Sequence, residues 1–226
     1  MGFSLDQVVP WGRNLEEYQR MFALSSDELN QNILGCADGP ASVNAELHEQ
    51  GKHYVSVDPI YRFSARQIEE RITATVPVIM KQLEENTSDY RWDYYQTPDQ
   101  LLGIRQTAMR RFLQDYDQAG TGRYIDGALP KLPFTDRSFD LVVCSYCLFT
   151  YSDQLTEEFH KQAILEMCRI GKEVRIFPLL TMSGQRSPYL PGVLRFLAEK
   201  SIDTDTIAVD YEFQKGGNQL LRLARL

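Results

Sequence analysis

Residues 32–58 carry the pattern that most narrows what this chain can fold into. Asn32-Ile33-Leu34-Gly35-Cys36 is a short apolar run that leads into the turn Ala37-Asp38-Gly39-Pro40-Ala41. Ser42 to Gln50 reads as a helix ended by Gly51, and Tyr54-Val55-Ser56-Val57-Asp58 is a second apolar run stopped by Pro59. Strand, turn, helix and strand within about 30 residues make a βαβ unit. Such a unit pairs its strands in parallel, and a parallel sheet needs helices over both faces. The chain is therefore α/β, and its ligands are expected in the crevice outside the carboxyl ends of the strands.

The same alternation returns near the C-terminus. Strands are expected at Gly122 to Asp126, Phe139 to Ser145, Val174 to Phe177, Thr206 to Phe213 and Gln219 to Leu223, seven with the first two. Phe139 to Ser145 is an almost unbroken apolar run, as a central strand buried on both faces requires. Leu155, Phe159, Ala163, Met167 and Ile170 mark the inner face of a helix that ends at Gly171. Pro191 to Lys200 is another helix. The glycines of Gln214-Lys215-Gly216-Gly217-Asn218 suit a hairpin between the last two strands. At the other end, Leu15, Tyr18 and Phe22 give Asn14 to Leu24 a helical face, and Ser25 with Glu28 has capping-box spacing for a second helix. Between Asp58 and Tyr124 the strand signal is missing. Ser64 to Glu85, bent at Pro77, and Leu101 to Asp117 are helical, and an aromatic stretch from Tyr90 to Tyr95 lies between them, to pack the insertion or to wall a substrate. The whole is expected to be one domain, 1–226, with N-terminal helices in 1–30 and a helical insertion over 64–118.

Composition excludes several partners. The net charge of -7 repels a phosphate backbone and disfavours nucleic acid. Arg105, Arg110 and Arg111 are the best basic patch, read as a solvated helix face. No apolar stretch reaches the roughly 18 residues of a membrane span, and Met1 to Asp6 has neither a signal region nor a myristoylation motif. Cys36, Cys144, Cys147 and Cys168 are too few for a disulfide framework in a chain this long, so a reducing cytoplasm is expected. Cys144 and Cys147 form a lone C-x-x-C at the end of a buried strand. With only three histidines in the chain and no second such pair, no metal site is expected.

Three segments share the strand ends: Ile33 to Ala41, Asp58, and Leu132-Pro133-Phe134 running through Phe139-Asp140-Leu141-Val142-Val143 to Ser145. At these residues the chain resembles the class I S-adenosylmethionine-dependent methyltransferases. Ile33 to Ala41 is similar to the family's glycine-rich first motif, Val57-Asp58-Pro59 to its ribose-binding strand end, and Leu132 to Val143 to the segment along its fourth strand. Glu166, Arg169 and Gly171 match residues before its fifth strand. The departures are specific. Gly35 stands where the family has an acidic residue, Ala37 and Ala41 replace the outer glycines, and only Gly39 is retained. Ala128 takes the place of the acidic residue near the adenine.

The resemblance implies a Rossmann-like three-layer sandwich with a mostly parallel seven-stranded sheet, an antiparallel terminal hairpin and a helical insertion. It implies S-adenosylmethionine as cofactor, held by Gly35, Cys36, Ala37, Asp38, Gly39, Asp58, Pro59 and Ser145. Asp38 is then a candidate for the methionine amino group and Tyr146 the candidate catalytic residue facing the methyl. Arg13 and Tyr18 are candidates to close over the cofactor carboxylate, although Tyr18 equally suits packing on the sheet. The acceptor is expected to be a small molecule or peptide beneath the helical insertion. The alternatives are a non-catalytic binding or assembly protein of the same fold, and a dinucleotide-dependent oxidoreductase.

Overall fold

A computed structural model describes residues 9–119 and 122–225. The stretch from Met1 to Asp6, read above for targeting signals, lies outside them. Seven strands form one sheet: β1 (Ile33–Cys36), β2 (Tyr54–Val57), β3 (Tyr124–Ile125), β4 (Phe139–Ser145), β5 (Gly171–Phe177), β6 (Ile202–Ala208) and β7 (Gln219–Arg225). Their order across the sheet is β3-β2-β1-β4-β5-β7-β6. β7 runs antiparallel to both β5 and β6, and every other pairing is parallel. This is the Rossmann-like methyltransferase topology expected from the sequence. The strand order reverses between β1 and β4, which opens the crevice at their carboxyl ends.

Helices cover both faces. On one, α1 (Leu15–Phe22) and α2 (Val43–Glu49) bury Tyr18, Phe22, Val43 and Leu47 against Ile33, Leu141 and Val143. On the other, α5 (Glu157–Ile170) and α6 (Leu190–Glu199) bury Met167, Ile164, Val193 and Leu197 against Leu34, Val142 and Val174. Alternate residues of β4 thus serve opposite cores, which is why its sequence is apolar almost throughout. Asn14 caps α1 with a complete capping box to Glu17.

Between β2 and β3 stand two long helices, α3 (Ala65–Glu85) and α4 (Pro98–Gln118). Ser64 and Thr97 cap them, each side chain accepting the backbone N–H three residues on. Helix α3 continues through Pro77. A third apolar cluster gathers Tyr61, Ile68, Ile72, Met109 and Phe112 where these helices meet the end of β2.

Four expectations need correction. Ser25 and Glu28 do bond each other, yet the segment closes after a single 3-10 turn, Glu28–Asn30, and no helix follows. The third strand is only two residues long. The sixth lies at Ile202–Ala208 rather than 206–213. The alternation Val209, Tyr211, Phe213 that suggested a strand serves a different contact: Tyr211 and Phe213 are buried against Tyr95 and Tyr90 of the insertion, and the Phe213 carbonyl accepts the Arg91 N–H. Arg105 and Arg111 form no solvated basic face. Arg105 is fully buried on Glu17, while Arg111 pairs with Glu46 and Glu49 of α2.

Candidate active site

The ends of β1, β2 and β4 open into one cavity of about 800 Å³. Its floor begins with the turn after β1. Ala37 donates its N–H to the Val57 carbonyl at 2.8 Å, tying the turn to β2. Ala37 and Gly39 both adopt left-handed backbone, at φ 55° and 56°. Between them Asp38 folds back over β1. A Cβ on Gly35 would lie 2.0 Å from Asp38 Oδ2 and 2.2 Å from the Tyr54 hydroxyl. Gly35 therefore leaves room for the Asp38 carboxyl rather than for a ligand, and it is absent from the cavity lining. Cys36, Ala37, Asp38, Gly39, Asp58, Pro59, Ser145 and Tyr146 do line it.

Asp38 is buried and accepts hydrogen bonds from the Tyr18 hydroxyl at 2.8 Å and the Ser56 hydroxyl at 2.8 Å. Burial pushes its carboxyl up to about 7, and those hydrogen bonds only partly oppose the rise. Tyr18 thus packs under the sheet ends and orients Asp38. Asp58 accepts the Gly39 N–H at 2.9 Å and the Ile60 N–H at 2.8 Å. Burial raises it to about 6. Each of its oxygens bonds one N–H and retains acceptor capacity. Asp126, past β3, turns away and pairs with Arg62 at 3.3 Å, so Gly127, Ala128 and Leu129 leave that wall apolar.

Beyond β4, Tyr146 also has left-handed backbone, φ 48°, a conformation costly for a bulky residue and concentrated at functional sites. Its N–H donates to the Phe177 carbonyl at 2.7 Å, its ring packs on Phe177, and the Arg13 guanidinium lies 3.6 Å over the ring centroid. Burial first, then the neighbouring Tyr211, holds the Tyr146 phenol far above its ordinary range. It stays protonated at neutral pH, so it can donate a hydrogen bond but cannot act as a base. Cys36 and Cys147 touch the cavity while Cys144 sits in the core, and none of the four cysteines forms a disulfide among the described residues.

The N-terminal segment is clamped onto this floor. Ser42 donates its N–H to the Arg13 carbonyl at 2.9 Å, and a Cβ on Gly12 would come within 2.0 Å of the Pro40 carbonyl oxygen. Helix α1 is then locked from behind: Glu17, fully buried, accepts from Arg105 of α4, from Tyr95 and from Tyr211. On the opposite side, Glu166 accepts the Leu132 N–H at 2.6 Å and Arg169 bridges it to Asp136, which pins the loop before β4. The aromatic stretch divides its work, with Tyr90 lining the cavity and Tyr95 buried in the lock. Sequence reasoning missed Gly12, Thr150, Met182, Phe213 and Gln214. No motif marks them, and only the misread alternation ending at Phe213 drew notice to that region.

The site suits an adenosyl sulfonium. Asp38 and Asp58 are buried carboxyls that form no ion pair among the described residues. Comparisons with known proteins agree. The family model described as "Methyltransferase domain" matches residues 101–174. The uncharacterized protein MJ0045 of Methanocaldococcus jannaschii is 34% identical over 223 residues, 98% of this chain and 98% of its own. Among solved structures, the mitomycin 7-O-methyltransferase MmcR is similar in fold at TM-score 0.51 and 9% identity, over 94% of this chain and 54% of that one. Magnesium protoporphyrin IX methyltransferase from Synechocystis PCC 6803, with bound S-adenosylmethionine, gives TM-score 0.45 and 11% identity over 87% and 71%. The chain belongs to one family with the Methanocaldococcus protein, and to the class I S-adenosylmethionine-dependent methyltransferases.

Proposed function

We propose that this methyltransferase acts on a small-molecule or peptide acceptor enclosed beneath helices α3 and α4. The observation that carries the reading is the cavity itself, which runs without interruption from the cofactor residues at the strand ends to α3 and to the β6–β7 connection. The domain is one unit over 1–226, covered by the insertion of 64–118 and, within 1–30, by helix α1. Its compartment is the cytoplasm, in keeping with four cysteines outside any disulfide and with the absence, among the described residues, of a helix able to cross a membrane.

When bound, the cofactor supplies a methyl group already activated on a sulfonium. The protein's part is alignment and exclusion of water, and holding the reactants in place accounts for several kcal/mol of the barrier. Asp58 would accept from the ribose hydroxyls, and Asp38 would hold the methionine ammonium. The loop Cys36 to Gly39 and Ser145 shape the space between them, beside Pro59. Arg13 would pair with the methionine carboxylate. Tyr146 would bound the transferring methyl and steer the acceptor by shape and by its phenolic O–H. Titration with S-adenosylmethionine and S-adenosylhomocysteine tests this directly. Both should bind, and Asp58→Ala should weaken them by the ~1.5–3 kcal/mol of hydrogen bonds to a charged group. No binding at millimolar cofactor removes the proposal, and unchanged affinity in the variant removes Asp58 from the ribose.

A further inference from the structure

The half of the cavity beyond Tyr146 differs in chemistry from the cofactor half. Its walls are Ile79 and Leu83 of α3, Tyr90, Met182 and Phe213, all buried. Tyr90 and Phe213 stack at 4.6 Å with an interplanar angle of 23°, which makes a flat aromatic surface. Among the described lining residues the carboxyls are Asp38 and Asp58, both at the other end and both held by two hydrogen bonds. Among the described lining residues there is no histidine or lysine; the cations are Arg13, Arg62 and Arg71, none of which belongs to the walls just named. Besides the Tyr90 hydroxyl, this half holds the polar groups of Gln214 and Thr150. Gln214 is buried and commits its amide nitrogen to the Met182 carbonyl at 2.9 Å, which leaves its amide oxygen as the group it can offer. The Thr150 hydroxyl is buried without a protein partner.

We propose that this half is the acceptor chamber and that its occupant is a flat, uncharged aromatic amine, with an amine N–H donated to the Gln214 amide oxygen. The inference rests on the methyltransferase reading above. An anionic acceptor would lose its hydration against these apolar walls, because the cations of the cavity lie elsewhere: Arg13 over Tyr146, Arg62 on Asp126, and Arg71 earlier on α3 than Ile79. A phenol or alcohol would need a base, and the chamber has none. An aromatic amine needs neither. Its nitrogen lone pair forms the new N–CH3 bond while the S–CH3 bond breaks, the electron pair stays on sulfur, and the arylammonium product gives its extra proton to water.

The test compares naphthylamine, naphthol and naphthoate, which share one ring system, by ligand-observed NMR on the full-length protein with and without S-adenosylhomocysteine. Naphthylamine is expected to bind in both states and to be methylated when S-adenosylmethionine is supplied, detected as a mass gain on the amine. Naphthol binds without turnover, and naphthoate does not bind. Gln214→Leu should weaken naphthylamine about tenfold while cofactor affinity stays unchanged. Tyr90→Leu, which leaves Gln214 and its bonds in place, should weaken all ring binding and guards against a folding defect in the first variant. Absence of naphthylamine binding in both states overturns the proposal. So does naphthoate binding as tightly as the amine, turnover of naphthol, or an unchanged affinity in Gln214→Leu. Failure of S-adenosylhomocysteine to bind instead overturns the underlying function, because the cofactor-free arm still reads the chamber.

Discussion

Replacing Arg105 with methionine tests how the cover is attached to the sheet. Arg105 and Glu17 are both fully buried, and their ion pair joins α4 to α1. Tyr95 and Tyr211 also donate to the Glu17 carboxylate, so three separate chain segments meet on one charge. Burial pushes the Glu17 carboxyl up, but Arg105 outweighs it and the net position is below the ordinary range. Methionine keeps much of the side-chain volume and removes the counter-charge. An ion left unpaired at such a site costs about 3–5 kcal/mol, and in a chain of this size each kcal/mol shifts Tm by roughly 2–4 °C. Thermal unfolding followed by circular dichroism should therefore show a fall of roughly 6–20 °C. The sign of the pH effect is also set. In the wild type the paired carboxylate stabilises above its unfolded pKa, and that contribution fades as pH falls through the lower folded value. In the variant burial is opposed only by Arg13 and by the hydrogen bonds from Tyr95 and Tyr211, so the Glu17 carboxyl lies higher than in the wild type and the deficit grows as pH rises from 5 to 8. Changing Glu17 and Arg105 together to methionine should restore most of the loss, because an apolar pair replaces a buried ion pair at little cost. A single variant that loses less than about 1 kcal/mol, or a double variant no more stable than the single, would refute the reasoning.

Other parts of the site give equally direct outcomes. Asp38 titrates near 7 without ligand; a cationic cofactor beside it favours the carboxylate, so binding at pH 6.5 should release protons, read as a buffer-dependent enthalpy in titration calorimetry and abolished in Asp38→Asn. Gly12→Ala places a Cβ 2.0 Å from the Pro40 carbonyl oxygen, a backbone atom that cannot step aside; denaturant unfolding should show a loss of about 1–3 kcal/mol, accompanied by weaker cofactor binding. Ala37→Gly relieves a left-handed alanine and should raise stability by about 0.5–1 kcal/mol, since the strain removed exceeds the added unfolded-state entropy.

The sheet was legible in the sequence because its information is local. Apolar runs of strand length, helical spacing between them and turn residues at their ends specify a parallel sheet whatever the rest of the chain does, and β1, α2, β2, β4 and α5 appear where those patterns placed them. Asp58, Gly39 and Ser145 were legible for the same reason, since a strand end in an open α/β sheet is already at the crevice. What the three-dimensional fold decided was whatever depends on segments far apart in sequence. Gly35 read as a cofactor contact, yet the return of Asp38 over β1 fills the space beside it. Tyr211 and Phe213 read as strand because their alternation has period two, but burial against the insertion uses the same period without a ladder partner. Arg105 read as part of a solvated helix face with Arg110 and Arg111, because mixed charges on a helix normally face water; Glu17, 88 residues away, makes its burial possible. Local periodicity therefore determines the sheet and the crevice, whereas the chemistry of the chamber arises from the N-terminal helix, the insertion and the β6–β7 connection, which meet only once the chain has folded.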